Sequence, residues 1–255
     1  MLRTLLICGL VAGVLAGLVA TGFGTLAGEP AVDQAIAYEE ANAPPAAPGE
    51  EEAAPVSRTT QKGVGLLTAS LVYGLSFGGL FALVFAYVYG RVANASPART
   101  ALWLAAAGFV VVYLVPFVKY PPNPPAVGDP ETINERTALY ITMVLISIFA
   151  AVAAVRLRRA LIDRYEPGVA TFLAGLGYLA IVVVAGLALP GIHEIPDTFP
   201  ATTLWRFREA SVGMQAVMWT VIGLVFSVTA QRAMTGRPVW ALGSGRREPT
   251  AATGD

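Results

Sequence analysis

Six long runs without a charged residue or a histidine divide this chain of 255 residues. Each run contains between 19 and 28 residues, and a membrane-spanning helix needs about 20 mostly apolar residues. A backbone in lipid must satisfy its own hydrogen bonds, which favours helices over irregular structure. We therefore predict an all-α polytopic membrane protein, one membrane domain over 1–255, with six transmembrane helices at about 4–28, 64–90, 100–118, 137–155, 168–190 and 210–231.

Composition supports this class of protein and argues against others. Hydrophobic residues make up 55% of the chain and charged residues 13%, and the mean hydropathy is +0.62. A soluble domain carries about a quarter charged residues. The formal net charge is zero, which gives no reason to expect a nucleic-acid partner. The single cysteine, Cys8, excludes an intramolecular disulfide and a cysteine-cluster metal site.

The basic residues predict the orientation in the membrane. Eleven of the 17 fall on the side that holds the N-terminus, the loops around 91–99 and 156–166, and the C-terminal tail. Lys and Arg are enriched on the cytoplasmic side, so we predict that both termini are cytoplasmic. Thirteen of the 17 acidic residues fall on the opposite, outer side. A negative outer face raises the local concentration of cations.

The first run permits two interpretations. It could be a cleaved signal peptide, because an arginine precedes it and small residues lie near Ala27. We favour a retained helix, since its 25 uncharged residues exceed the usual apolar core of a signal peptide. Stripes of small residues, which let membrane helices approach closely, occur in the first two runs and predict helix packing at Gly9, Gly13, Gly17, Ser70, Gly74 and Gly78.

The segments outside the six runs differ in composition. Residues 42–58 are acidic and proline-rich, which predicts a flexible outer linker. Residues 29–41 fit either a short interfacial helix or a solvated acidic loop. The five prolines within 119–136 predict a stiff, ordered outer cap. Residues 232–255 are predicted to form a cytoplasmic tail.

The last two outer loops resemble each other. Pro116-x-x-Lys119 is similar to Pro190-x-x-His193, and each is followed by proline-containing sequence and then an arginine near the next helix. This pattern fits three tandem in–out–in helical hairpins, and parallel repeats occur in transporters. Chance similarity between proline-rich loops explains it equally well.

The sharpest cluster of candidate ligands is His193-Glu194-x-x-Asp197, just beyond the fifth run. An imidazole with carboxylates suits a first-row divalent cation such as Co²⁺, Ni²⁺ or Zn²⁺. Glu39 and Glu40 are further outer carboxylates that could contribute. With a single histidine the chain offers a transient entry site rather than a closed coordination shell. The alternative is an interfacial histidine bonded to backbone or to a neighbouring loop.

The sequence lacks the residues that several classes of enzyme require. No phosphate-binding glycine loop is present, and one histidine supports neither a nucleophile–histidine–acid set nor bis-histidine haem ligation, so we predict no enzyme activity. No ionisable residue lies deep within a run, where proton-coupled transporters place one. Met143, Met214 and Met218 could contact a soft ion, although packing is their commoner role. The polar residues inside the runs are all neutral: Thr68, Ser70, Tyr73, Ser76, Tyr113, Thr142, Ser147, Thr171, Tyr178, Gln215 and Thr220.

Four stretches resemble a known family: MLRTLLICGLVAGVLAGLVA, GEPAVDQAIAYEEA, KYPPNPPAVGDPETINERT and PGIHEIPDTFPATTLWRFREAS. Over about residues 1–235 the chain resembles the predicted cobalt transporter subunit family, CbtA. The resemblance implies a bacterial or archaeal plasma (inner) membrane protein in cobalt uptake, working beside a small single-span partner that carries histidine. It implies no catalytic set. The matching outer-loop positions are Glu39, Glu40, Lys119, Tyr120, Asn123, His193, Glu194 and Asp197.

Together these observations predict a membrane subunit that helps to move a divalent cation inward, and Co²⁺ is the first candidate. The predicted metal contacts are His193, Glu194, Asp197, Glu39 and Glu40, and no tightly bound cofactor is expected. Lipid surrounds the chain, and a homo-oligomer is compatible with it. One alternative is a non-transporting scaffold subunit, which the glycine stripes and charge-free runs would also suit. Another is a membrane-embedded enzyme or redox subunit, which the single histidine disfavours.

Overall fold

The computed structural model describes residues 1–42, 56–92 and 95–239. These residues form helices and connecting loops without any strand. Six helices are long and apolar enough to cross a membrane, which confirms the predicted all-α, six-span fold. They are α1 (Leu2–Asn42), α2 (Arg58–Val88), α3 (Pro97–Lys119), α4 (Pro130–Leu161), α5 (Pro167–Ala188) and α6 (Ala201–Met234).

Helix α1 extends well past its apolar run. It passes through a wide π-helical turn at Gly24–Gly28 and continues as Glu29–Asn42, so the acidic segment is helix rather than loop. Ala31 and Ala35 bury one face of this extension. The predicted linker 42–58 lies outside the described residues over 43–55, and the predicted tail lies outside them from 240 onward.

Local sequence accounts for several helix starts. Before α2, the Ser57 hydroxyl accepts a hydrogen bond from the backbone N–H of Thr60 at 3.3 Å. Before α3, Ser96 caps the N–H of Arg99 in the same way at 3.3 Å, and Pro97 occupies the first helical position. Serine is favoured at this position because its oxygen satisfies an N–H that has no partner within the helix.

Helices α1 and α2 pack antiparallel with their backbones in contact. Gly9 faces Gly78 and Gly13 faces Gly74, and a methyl group added at any of these four would overlap the carbonyl oxygen opposite. Gly17 faces Ser70 in the same register. Only small residues permit this approach, in which van der Waals contact between backbones replaces contact between side chains.

A second face of α1 packs against α6. Its small residues are completely buried, and they are Cys8, Ala12, Ala16 and Ala20. The Cys8 thiol contacts Thr229 of α6. Aromatic rings complete the core between α2 and α6, where Phe226 lies 5.1 Å from Phe81 and 5.0 Å from Phe85 between ring centroids. Helix α1 is therefore enclosed by α2 and α6.

Helix α3 joins this assembly through α6. Gly108 lies against the ring of Trp219, and Gly223 lies against the methyl group of Ala105. The backbone N–H of Ala98 donates to the Gln231 side chain at 3.1 Å. Helices α1, α2, α3 and α6 are called the central group below.

Helices α4 and α5 form a separate pair. Met143, Ala150 and Val182 are buried between them, and the hydroxyls of Ser147 and Tyr178 lie 2.8 Å apart. This α4–α5 pair packs beside the second half of α3, where Val115 and Tyr120 join its apolar cluster. Most of its remaining surface faces away from the chain.

The two ends of the bundle differ in structure. The loop end comprises 29–42, 120–129 and 189–200, and the terminal end comprises Met1, 90–92, 162–166 and 235–239. At the loop end a small apolar cluster joins Ala35 of α1, Val127 of the loop before α4 and Phe199 of the loop before α6. The loop end is therefore held together by its own packed core.

Candidate functional site

The segment that follows α5 is anchored by Glu194. Its carboxylate accepts hydrogen bonds from the Thr132 hydroxyl at 2.6 Å and from the backbone N–H of Asp129 at 3.1 Å. The Arg136 Nε lies 3.3 Å from the same carboxylate, whose side chain is only 16% exposed. Glu194 thus connects the start of α4 to the loop before α6, and a metal ligated by it would compete with three existing contacts.

The same loop depends on a backbone turn that suits glycine. Gly128 has φ +114°, and the guanidinium group of Arg136 lies where a side chain at this position would extend. Arg136 also donates to the Asp129 carbonyl oxygen at 3.1 Å. Glycine reaches this φ without strain, so it allows the loop to fold under Arg136.

His193 and Asp197 flank Glu194 and are exposed at the loop end. The imidazole of His193 lies over Gly191. Among residues 1–42, 56–92 and 95–239, no three His, Cys, Asp or Glu side chains are close enough to hold one metal ion. The five predicted contacts therefore form no closed coordination shell within the described chain.

The structure nevertheless brings the two predicted acidic regions to one surface. The Tyr38 hydroxyl lies 2.6 Å from the Thr198 hydroxyl, and the Tyr38 and Phe199 rings are 5.0 Å apart in an edge-to-face arrangement. Glu39 and Glu40 follow Tyr38 and are exposed, and Asp197 precedes Thr198. Carboxylates from α1 and from the loop before α6 therefore occupy adjoining parts of the loop end.

A further charged group joins α1 to the start of α2. Arg58 pairs with Glu29 and, at 3.2 Å, with Asp33, and Lys62 also pairs with Asp33. Asp33 lies beyond the apolar run of α1. The hydrogen bond from Lys62 lowers the pKa of the Asp33 carboxyl below the usual value, and Arg58 contributes in the same direction. Glu29 and Asp33 are neutralised in this way, whereas Glu39 and Glu40 stay exposed.

Lys119 and Tyr120 hold the two proline-rich loops together. The Lys119 ammonium donates to the Leu189 carbonyl oxygen at 2.9 Å, and the Tyr120 hydroxyl donates to that of Pro190 at 2.8 Å. A cation suits the C-terminal end of a helix, where the last carbonyl groups lack partners and the dipole is negative. Burial raises the pKa of the Tyr120 phenol.

Asn123 makes a corresponding contact with α6. Its side-chain oxygen accepts from Arg208 at 3.0 Å, and Arg208 also donates to the Pro122 carbonyl oxygen at 3.4 Å. Asn123 is therefore a structural contact between a loop and a helix. Glu209 of the same helix lines an open cleft of about 260 Å³ together with Gln34 and Arg206.

Closer to the membrane interior, neutral polar side chains from different helices meet. Gln215 of α6 donates to the Tyr73 hydroxyl of α2 at 3.3 Å. The phenol groups of Tyr73, Tyr113 and Tyr140 lie within electrostatic range of one another. Tyr140 was absent from the polar residues selected on sequence, because it lies only one turn inside the α4 run. Met143 and Met218 are buried in apolar clusters, and Met214 packs near Gly24.

The six spans, the charge-free interior and the packed loop end define a polytopic α-helical membrane protein. The family model of the probable cobalt transporter subunit (CbtA) matches residues 2–231. This chain belongs to that family, as its resemblance to the family predicted, and it is a membrane subunit of a cobalt transport system. No curated protein and no solved structure matches it in the corresponding comparisons.

Proposed function

We propose that this subunit carries Co²⁺ inward across the plasma (inner) membrane, with its loop end outside and both termini in the cytoplasm. The excess of Lys and Arg at the terminal end supports this orientation. The acidic loop end would then face the source of the ion and raise its local concentration. Inward transport of Co²⁺ from the acidic loop end requires this orientation, so the direction of transport and the cytoplasmic termini are proposed together.

The observation that carries the proposal is the adjoining position of the exposed acidic residues at the loop end. The Tyr38–Thr198 contact holds the end of α1 that carries Glu39 and Glu40 against the loop segment that carries Asp197, and His193 is exposed earlier in the same loop. In this proposal His193 and Asp197 make first contact with the ion, and Glu39 and Glu40 attract it. Glu194 contributes by keeping the loop in place through Arg136 and Thr132, and it becomes a ligand only if those contacts open.

A partner subunit would complete the system. The described chain supplies too few ligands for a closed site, so a small single-span protein with a histidine-bearing terminus would provide the rest. Association as a homo-oligomer is compatible with the large exposed surface of α4 and α5. No reaction chemistry is proposed, because the chain's contribution is to attract and guide the ion.

Uptake of radiolabelled Co²⁺ tests the proposal. The chain is expressed with its chromosomal neighbours in a host that lacks cobalt transport, and His193→Ala with Asp197→Asn is compared with the wild type. We expect the apparent KM to rise by about tenfold or more, as it does when metal-site residues are lost. The matched control is Glu131→Gln, which removes one exposed charge of the same end outside the proposed contacts.

Two results would overturn parts of the proposal. Unchanged uptake in the double variant would discard His193 and Asp197 as contacts and retain the transporter. Absence of uptake in every combination, with the protein confirmed in the membrane, would discard inward transport and favour a scaffold role.

A further inference from the structure

Polar side chains from four helices lie near one another, with Tyr113 buried, Tyr140 and Gln215 half-buried and Tyr73 40% exposed. Tyr73 comes from α2, Tyr113 from α3, Tyr140 from α4 and Gln215 from α6. They lie in the half of each helix nearer the loop end. Gln215 donates to Tyr73 at 3.3 Å, and the three phenols lie within electrostatic range of one another. These four residues are called the tyrosine cluster.

Two oxygens of the tyrosine cluster are buried without a hydrogen-bond partner among the described residues. They are the Tyr113 hydroxyl and the Gln215 side-chain oxygen, and Tyr113 is only 9% exposed. An unsatisfied polar group costs about 1–3 kcal/mol when buried. Phenylalanine would fill nearly the same space without that cost, so the Tyr113 hydroxyl indicates a role beyond packing.

The backbone of α3 is irregular at the same point. Residues Phe109–Leu114 form a π-helical stretch that contains Tyr113, and Pro116 follows it. Proline removes a backbone N–H and collides with the preceding turn, so a wider turn before it is expected. Such π-helical stretches are frequent at functional sites, because they redirect one side chain out of the regular helical pattern.

The position of the tyrosine cluster is the boundary between the two parts of the bundle. Phe109 and Val112 of α3 pack in the apolar cluster that α3 shares with α1, α2 and α6. Val115 of α3 and Tyr140 of α4 pack in the apolar cluster of the α4–α5 pair. Tyr113 lies between them, with its ring 6.0 Å from Phe109 and 5.6 Å from Phe117. The cluster is thus the polar part of an otherwise apolar seam.

The chemistry of the tyrosine cluster indicates its ligand. Its phenol and amide oxygens are neutral, and carbonyl and water oxygens suit divalent cations that keep much of their hydration. Without a carboxylate it could not stabilise a bare divalent ion, which favours passage with bound water. The aromatic faces around it attract cations as well. The acidic loop end above it favours a cation over an anion.

We propose that Tyr73, Tyr113, Tyr140 and Gln215 form a hydrated passage site for the transported divalent cation in the half of the membrane nearer the loop end. This inference rests on the proposed function and gives it a location inside the bundle. The cluster oxygens replace or bind waters of the ion as it leaves the loop end and enters the seam between the central group and the α4–α5 pair.

Uptake of radiolabelled Co²⁺ by Tyr113→Phe and Gln215→Leu variants tests the site. We expect maximal uptake to fall about tenfold, the change that loss of one hydrogen bond to a charged species produces. The melting temperature of Tyr113→Phe should stay equal or rise, because an unpaired hydroxyl is removed. The matched control is Tyr178→Phe, whose hydroxyl pairs with Ser147 outside the cluster and whose uptake should equal the wild type.

A labelling experiment separates failure of this inference from failure of the proposed function. Tyr113→Cys and Tyr178→Cys are made in a Cys8→Ala background and exposed to a small cationic, water-soluble thiol reagent. We expect modification of the Tyr113→Cys protein only, and slower modification in the presence of Co²⁺. Wild-type uptake of Co²⁺ with full activity in Tyr113→Phe and Gln215→Leu would overturn the site alone. If the wild type takes up no Co²⁺, the proposed function fails, and an unmodified Tyr113→Cys protein overturns the site independently.

Discussion

The central group and the α4–α5 pair solve the same packing problem differently. In the most apolar part of the central helices, 44% of the residues of α1, 39% of α6, 28% of α2 and 22% of α3 are buried within the chain, against 17% in both α4 and α5. Helices α1 and α2 meet through glycine, so their backbones touch, and α1 meets α6 through small residues such as Ala12 and Ala16. In lipid, where apolar residues gain nothing by leaving the solvent, such close contact is the main source of helix association.

The difference in packing indicates that the central group and the α4–α5 pair have different roles. The central group has one register, set by Gly9, Gly13 and Gly17 against Gly78, Gly74 and Ser70, and a shift would bring bulkier residues into the contact. The α4–α5 pair meets through larger side chains and leaves a wide apolar surface for lipid or another subunit. We therefore expect stability to depend on the central group.

The largest effect is expected for Gly13→Leu. The new side chain would overlap the Gly74 backbone and force α1 from α2, which should cost about 3 kcal/mol or more and reduce the yield of folded protein. Thermal unfolding in detergent measures the loss. The control is Gly175→Leu in α5, where nothing lies within 4 Å of an added side-chain atom. Equal destabilisation by both variants would contradict the comparison.

Next in size is removal of a buried ring. Phe226→Ala empties the contact with Phe81 and Phe85 and should cost about 3 kcal/mol. Phe172→Ala, in the exposed surface of α5, should change the free energy of unfolding by less than about 0.5 kcal/mol in detergent. Denaturant titration of both variants compares the two regions directly. A large loss in Phe172→Ala would mean that the α5 surface is a folded contact.

A smaller effect is expected where the loop 120–129, which precedes α4, contacts α6 of the central group. Arg208→Ala removes the hydrogen bonds to Asn123 and the Pro122 carbonyl oxygen, at an expected cost of about 1–2 kcal/mol. Protease cleavage within 120–129 should become faster. Arg206→Ala, two residues away and exposed, is the control. Similar cleavage in the two variants would show that Arg208 does not hold the loop.

The smallest effect concerns the ion pairs at the start of α2. The folded-state pKa of Asp33 is lowered, so its stabilising contribution is present at neutral pH and disappears as the pH falls below the ordinary value of 3.8. Because the carboxyl is exposed to solvent, Asp33→Asn should lower the melting temperature at pH 7 only slightly, and high salt should reduce the difference. Unfolding scans at pH 7 and pH 3 test this, and a larger difference at pH 3 would contradict it.

The sequence was most informative where the membrane restricts composition. Absence of charge over about 20 residues predicted the six spans, because lipid penalises charge whatever the tertiary structure. The extension Glu29–Asn42 was ambiguous, since its acidic surface resembles that of a loop. Its helix depends on burial of Ala35 against Val127 and Phe199, which are distant in sequence.

The candidate site depended more heavily on tertiary contacts. The His193-Glu194-x-x-Asp197 pattern suggested ligands, but it could not reveal that Glu194 already pairs with Arg136. Tyr140 gave no signal, because a tyrosine near the end of a span usually serves as an interfacial anchor. Its approach to Tyr113 is fixed by how α4 packs on α3, and sequence periodicity does not contain that information.

The enclosure of α1 between α2 and α6 has a consequence for the order of events during synthesis. Of these six helices α1 is synthesised first and α6 last, so the α1 face with Cys8, Ala12 and Ala16 lacks its neighbour until α6 has been made. At 5–20 residues per second the interval between α1 and the end of α6 is roughly 10–40 s. The α1–α2 contact can form early, because α2 ends at Val88, whereas α5 ends only at Ala188. For most of this time the α1–α2 hairpin therefore exists without α6, the α4–α5 hairpin forms shortly before the end, and arrival of α6 is the event that closes the bundle.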